Sequence, residues 1–214
     1  MSDAELVARF IDDSVTESED VVYVTRHSLE HKVPSLSPAL GATLQQIARA
    51  LNASTIIEVG TGLGVTTVRL AEACPSAHIT SIDRELDYHL TLKELLPELD
   101  LDPTKLRLIT EHAEDVLPKM NEGSYDLVVI DVDADSVAAC YEAAIAITRP
   151  GGSIIVTRVL AGGQVANPAN RKSHVAEYRS VLKTIEHDDR VTHAIVPVGE
   201  GLAWVTLHAP GSAT

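Results

Sequence analysis

The sequence predicts an α/β protein built on a mostly parallel seven-stranded sheet, with helices on both faces, a C-terminal antiparallel hairpin and a helical N-terminal extension. Three observations carry this. From residue 55 onward, short apolar, β-branched runs alternate with helix-length segments, a pattern that implies right-handed βαβ units. Near the end, Thr192 to Val198 and Leu202 to Leu207 are separated only by Gly199-Glu200-Gly201, and so short a link joins antiparallel neighbours. Between Ser54 and Thr66, the stretch STIIEVGTGLGVT runs from a buried-strand pattern into an acid and three alternating glycines. Such glycines let the backbone turn sharply and approach a ligand without a Cβ in the way.

Taken in order, residues 1–53 read as a helical extension: Ala4 to Ile11, a second helix around Glu19 to Lys32, and Pro38 to Leu51. The third begins with Ser37 as N-cap and Pro38 in the first turn, and Leu40, Leu44, Ile47 and Leu51 recur at helical spacing, so it packs on the sheet. The first two carry the acidic run Asp12, Asp13, Glu17, Glu19 and Asp20, read as a solvated surface over a substrate mouth or dimer contact. Residues 54–214 form the second region. Its strands are Thr55 to Val59, His78 to Ile82, Lys105 to Ile109, Tyr125 to Asp131, Ser153 to Thr157 and the closing pair. The intervening helices are Val65 to Ala73, Glu85 to Leu96, Ala113 to Met120 and Ser136 to Thr148, followed by the amphipathic segment His174 to His187.

Composition narrows the function classes. With 17 Lys and Arg against 31 Asp and Glu, and a formal net charge of −14, the long-range field repels nucleic acid and anionic membranes. The patch Arg171, Lys172, His174, Arg179 and Lys183 reads as the solvated face of a late helix. Cys74 and Cys140 are too few for a disulfide framework and suit a reducing cytoplasm. Met1 to Phe10 lacks the apolar core of a signal peptide, and no window reaches the length of a membrane span. A soluble, cytoplasmic protein is expected. His27 and His31 are four apart but lie ahead of the core and read as surface residues, and no G-x-S-x-G elbow or P-loop lysine is present.

The glycine spacing here is G-x-G-x-G. A dinucleotide fingerprint, G-x-G-x-x-G, would need a third glycine where Val65 stands, so a nicotinamide-dependent oxidoreductase is disfavoured, as it is by the closing hairpin. A tight turn with no ligand is the bland alternative. Against it stands Ile79-Thr80-Ser81-Ile82-Asp83, a second strand ending in an acid able to accept hydrogen bonds from both ribose hydroxyls. Tyr125 to Asp133, YDLVVIDVD, is a buried strand that delivers two carboxylates at its carboxyl end, where ligands of open α/β sheets bind.

With EVGTGLGVTT, SID, EHAEDVL, DLVVIDVD, PGGSIIV, VLAGGQVANP and the terminal P-x-G-x-G-L on the page, the chain resembles the class I S-adenosylmethionine (SAM)-dependent O-methyltransferases related to the catechol and caffeoyl-CoA enzymes, and in particular their bacterial branch. The match covers roughly Leu36 to Leu207. The resemblance implies a Rossmann-like methyltransferase fold, SAM as cofactor with S-adenosylhomocysteine as product, a small-molecule acceptor and a homodimer. It also implies roles. Glu58 and the backbone of Gly60 and Thr61, with Gly62 in the same loop, would hold the methionine end of SAM, and Thr66 would lie near its carboxylate. Asp83 would grip the ribose, Ala113 would meet the adenine, and Asp131 would serve cofactor and metal. Tyr141 stands one residue beyond the spacing of a cofactor-side tyrosine.

The departures from the family pattern concern the metal. A divalent cation is held there by the acid matching Asp131 and by an Asp-Asn pair on the next strand, where this chain has Thr157-Arg158. Threonine is a poor ligand for a hard cation, and arginine brings a fixed positive charge to the ion's place. A lysine that follows the acid pair in the family is Ala134 here, and an acceptor-site aromatic is Ala161. No metal is therefore expected. Two readings of Arg158 stay open: it orients an oxyanion or carboxylate on the acceptor while Asp131 or Asp133 acts as base, or it pairs with those acids and neutralises an emptied site. The first belongs to a cation-independent O-methyltransferase acting on a small-molecule hydroxyl. The rival is a SAM-binding regulatory or scaffolding protein that has lost catalysis. The Gly-rich loop Ala161-Gly162-Gly163-Gln164 is expected to close over the acceptor.

Overall fold

The structure, a computed structural model, describes residues 3–209. The last five residues of the 54–214 region lie outside the described residues.

Seven strands form one sheet: β1 (Thr55–Val59), β2 (His78–Asp83), β3 (Leu106–Thr110), β4 (Tyr125–Ile130), β5 (Thr148–Thr157), β6 (Val191–Val196) and β7 (Leu202–Leu207). Their order across the sheet is β3-β2-β1-β4-β5-β7-β6. The first five are parallel, and β7 enters antiparallel beside β5 with β6 on the outer edge. The chain's direction of travel reverses between β1 and β4, which makes the carboxyl ends of those two strands the topological switch point where open α/β sheets bind ligands.

Among the described residues, eight α-helices surround the sheet: α1 (Asp3–Asp13), α2 (Glu19–Glu30), α3 (Pro38–Ala50), α4 (Val65–Ala73), α5 (Leu86–Leu95), the single turn α6 (Ala113–Val116), α7 (Ala134–Ile147) and α8 (Ser173–Glu186). The period-2 alternation of the strands splits the core into two layers. Ile57, Ile82, Val128, Ile130, Ile154 and Val156 face α7 and α8. Ile56, Ile79, Leu127, Val129 and Ile155 face α4 and α3, with Leu40, Leu44 and Ile47 of α3 in the same cluster. Ser37 caps α3 through its side chain, as its sequence implies. α2 lies over α4, where Val21 and Val24 join Val65 and Val68.

Two boundaries differ from expectation for identifiable reasons. β5 begins five residues before Ser153, because Thr148 pairs with Tyr125 before the register shifts, and ordinary pairing resumes at Ser153 opposite Leu127. Pro150-Gly151-Gly152 is thus an irregularity inside an extended segment. Gly152 fits there because a Cβ would meet Thr148 Cγ2 at 2.8 Å and the Arg149 carbonyl at 2.9 Å. α2 stops at Glu30 instead of Lys32, since Lys32 adopts φ +58° and reverses the chain. Among the described residues no helix is long and apolar enough to cross a membrane.

Candidate active site

The carboxyl ends of β1, β2, β4 and β5 open into a cavity of about 520 Å³, within the size range of small-molecule sites. Its floor is the glycine loop. Gly60, at φ +94°, lies so close to β4 that a Cβ would run into the Asp131 carbonyl oxygen. Gly62 (φ +51°) and Gly64 (φ +90°) complete the turn into α4, and Gly64 offers the helix no side-chain cap. The first amides of α4 are therefore left for whatever occupies the cavity. Gly60, Thr61, Gly62 and Thr66 all line it. Asp83 lines it too, its carboxylate held in place by the Gly62 and Glu85 amides, each at 3.0 Å. Ala113 stands on the same side, at the start of α6.

Glu58 and Tyr141 are placed differently from the rest of the cofactor set. Neither is on the cavity wall, and both are fully buried. Glu58 sits one layer below the loop, where its Oε2 accepts from Thr67 Oγ1 and Ser81 Oγ, both at 2.5 Å, while Oε1 has no partner among the described residues. Burial pushes its pKa up to about 8, aided by the charges of Asp131 and Asp83 and opposed by the two hydroxyls. The network continues: Thr61 Oγ1 lies 2.6 Å from Ser81 Oγ and 2.9 Å from His89 Nε2, and His89 Nδ1 lies 2.8 Å from Thr110 Oγ1. With the Ser81 proton given to Glu58, Thr61 donates to Ser81, His89 donates from Nε2 to Thr61, and Thr110 donates to Nδ1. His89 is thus a neutral imidazole, consistent with burial pulling its pKa down. Tyr141 packs in the core beneath α7, its hydroxyl 3.3 Å from Asp188.

Asp131, Asp133 and Arg158 all reach the cavity, where Arg158 is paired with Asp131 and Asp133 with Arg84. Arg158 Nε and Nη2 donate to both oxygens of Asp131, at 2.6 and 3.2 Å, while Thr157 Oγ1 donates to Asp131 Oδ1 at 2.6 Å. Arg158 holds this fork with φ +60°, a left-handed backbone unusual for a non-glycine residue. Its hydrogen bond to Asp131 raises its already high pKa, so the charge is permanent. Asp133 is turned outward to Arg84, 2.9 Å away. The donor set does not suit a divalent ion: the one carboxylate matching a family ligand has both oxygens occupied, and a guanidinium stands beside it. Among the described residues, no group of three or more His, Cys, Asp or Glu side chains is disposed to hold a metal.

The opposite wall comes from segments distant in the sequence. Residues 33–36 after α2 cover the glycine loop, and Gln164, His174, Tyr178 and Glu200 line the cavity together with Arg158. Gln164 lies in a 3₁₀ segment, Ala161–Ala166, bent at Gly162 and Gly163, so the Gly-rich stretch forms part of the wall. Tyr178 is buried, and burial pushes its hydroxyl up to about 12, so it remains a neutral donor and acceptor. His174 and Tyr178 share a face because they are four apart on α8, a spacing visible in the sequence without its partner surface.

Comparison with known proteins agrees with this geometry. Residues 12–207 match the family model described as O-methyltransferase. A protein of Mycobacterium sp. (strain JLS) named "Putative O-methyltransferase" is 32% identical over 202 residues, covering 94% of this chain and 92% of the relative. Among solved structures, the O-methyltransferase TomG of Streptomyces achromogenes, in complex with SAM, superposes with a TM-score of 0.85 at 23% identity, covering 98% of this chain and all of that one. An O-methyltransferase of Bacillus cereus in complex with S-adenosylhomocysteine gives 0.83 at 21%, covering 94% and 97%. By the extent of the family match and the identity to its relatives, this chain belongs to the O-methyltransferase family.

Proposed function

We propose that the protein uses SAM to methylate a hydroxyl of a small-molecule acceptor, and that it does so without the divalent cation that the resemblance implies. The observation that carries the second half is the two-pronged Arg158–Asp131 ion pair. It places a permanent positive charge at the carboxyl ends of β4 and β5, where the resemblance puts the ion. The first half is supported by the cradle. Gly60 admits nothing larger than hydrogen, Asp83 is fixed with its free lone pairs toward the cavity, and the start of α4 presents unpaired amides. SAM supplies, when bound, an electrophilic methyl group on a good leaving group. What remains for the chain is alignment and electrostatics.

In this reading Gly60, Thr61, Gly62 and Thr66 hold the amino-acid end of the cofactor, Asp83 the ribose and Ala113 the adenine. Glu58 acts from beneath through Ser81 and Thr61. Asp131 is engaged by Arg158 and Thr157 and serves to anchor the guanidinium, which leaves Arg158 to orient the acceptor oxygen beside the Tyr178 hydroxyl. Asp133, paired with Arg84, closes the rim. We also propose a cytoplasmic homodimer, supported by the exposed Leu6, Val7, Phe10 and Ile11 on α1, of which Phe10 is 75% exposed. A monomeric mass by sedimentation at micromolar concentration would refute that assembly.

The deciding experiment is calorimetric titration of chelator-treated protein with S-adenosylhomocysteine, with and without excess magnesium, followed by a screen of phenolic and alcoholic acceptors with methyl-deuterated SAM. Micromolar binding indifferent to magnesium, and label on an acceptor oxygen, are expected. Binding that requires magnesium would sink the cation-free reading, and no binding at all would sink the SAM site. Tight binding with no acceptor labelled would instead favour a regulatory SAM-binding protein.

A further inference from the structure

α2 turns the stripe Val21, Val24, Ser28 toward α4, and the first two positions pack on Val65 and Val68. At the third, one turn further along, the stripe carries a hydroxyl instead of an apolar group. Ser28 is 1% exposed, lines the cavity, and its Oγ has no hydrogen-bond partner among the described residues. A buried hydroxyl left unpaired is destabilising, so its place at a cavity wall points to a partner that arrives with the ligand. The surroundings define that partner. The Ser28 carbonyl accepts from the Val33 amide at 2.9 Å across the reversal at Lys32, which sets residues 33–36 over Gly62. On the other side lie Val65 and Thr66 at the uncapped start of α4. Helix amides and a free hydroxyl together form a donor set, which suits an anionic group.

We propose that Ser28 belongs to the cofactor site, donating its hydroxyl to the carboxylate of the cofactor's amino-acid moiety at the N-terminus of α4. This rests on the SAM reading above. The N-terminal extension then completes the cofactor site as well as covering it. Thr25, whose Oγ1 is likewise buried and unpartnered but does not line the cavity, is the internal control.

The test compares Ser28→Ala and Thr25→Ala with the wild-type protein by calorimetry, using S-adenosylhomocysteine and 5′-methylthioadenosine, which lacks the amino-acid portion. Ser28→Ala is expected to weaken S-adenosylhomocysteine about tenfold, to leave methylthioadenosine within about twofold, and not to lower the Tm of the unliganded protein. Thr25→Ala should change neither affinity. Equal binding of S-adenosylhomocysteine by Ser28→Ala and wild type overturns the proposal, as does an equal loss of both ligands, which marks a structural effect. A wild-type protein that binds neither ligand overturns the SAM reading itself, and this inference with it.

Discussion

Replacing Thr157 with Asp and Arg158 with Asn is expected to turn the ion pair into a divalent-cation site. The double variant restores the Asp-Asn pair that the resemblance assigns to this strand end, opposite Asp131. The backbone is already suited to it. Position 158 has φ +60°, where arginine carries a strain of about 1–2 kcal/mol and asparagine is among the few residues enriched. Thr157 Oγ1 now touches Asp131 Oδ1 at 2.6 Å, so an Asp there brings a second carboxylate to within about 4 Å of the first. At an effective dielectric of about 20, that repulsion is about 4 kcal/mol, and the guanidinium that would offset it is gone. The apo variant should therefore melt well below wild type. Manganese or magnesium at about 100 times its Kd should return about 2.7 kcal/mol, or about 5–10 °C in Tm for a chain of this size. Differential scanning fluorimetry with and without chelator reads this directly. No metal-dependent rise in the double variant would show that the strand ends are wrongly spaced for an ion. An equal rise in wild type would show that Arg158 does not occupy the ion's place.

Two further outcomes follow from the buried carboxyls. Glu58, held at about 8 by burial, keeps its proton in the folded protein across the interval from about 4.5 to 8, where the unfolded chain has lost it. Stability should fall as pH rises through that window, by up to about 1.4 kcal/mol per pH unit, and Glu58→Gln should flatten the slope. Urea midpoints at pH 5 and pH 7.5 measure it, and parallel slopes for both proteins would refute the assignment. Asp126 is the opposite case. Burial acts to raise its pKa, but hydrogen bonds from Arg149 and from Ser54 and Thr55 outweigh it and hold the group below the usual carboxylate range. Its contribution is present above about pH 4 and lost as pH falls below that value. Asp126→Asn should cost about 2–4 kcal/mol at pH 7, with the gap to wild type closing toward pH 2. Equal stability at pH 7 would contradict it.

The fold was legible because its signals are local. Strand β1 through helix α4 reads from β-branched residues followed by glycines, and the hairpin from the three residues between β6 and β7. The carboxyl-end acids Asp83 and Asp131 were legible for the same reason, since a strand that ends in an acid puts it at the mouth of the sheet. Ser28, His174, Tyr178 and Glu200 were not, because each becomes part of the cavity only when α2, α8 and the hairpin turn close over strands far away in sequence. Tyr141 shows the converse. Its position in the chain fitted a cofactor contact, but α7 turns it into the core toward Asp188.

Arg158 marks where reading by residue type runs out. From the sequence it was a charge in the place of an asparagine, equally able to hold an acceptor or to silence two acids. The structure divides the acids between two partners: Asp133 goes to Arg84, and Asp131 takes the full fork of Arg158 plus the Thr157 hydroxyl. Between them these three donors engage both oxygens of the Asp131 carboxylate. That argues against Asp131 as proton acceptor and leaves the Arg158 charge only partly spent, since its remaining nitrogen is 3.9 Å from the exposed Glu200. In the function we propose, the pair acts as a fixed dipole with its positive end toward the acceptor. Such a device favours a hydroxyl already acidic enough to ionise near a cation, and phenolic acceptors belong at the head of the substrate screen.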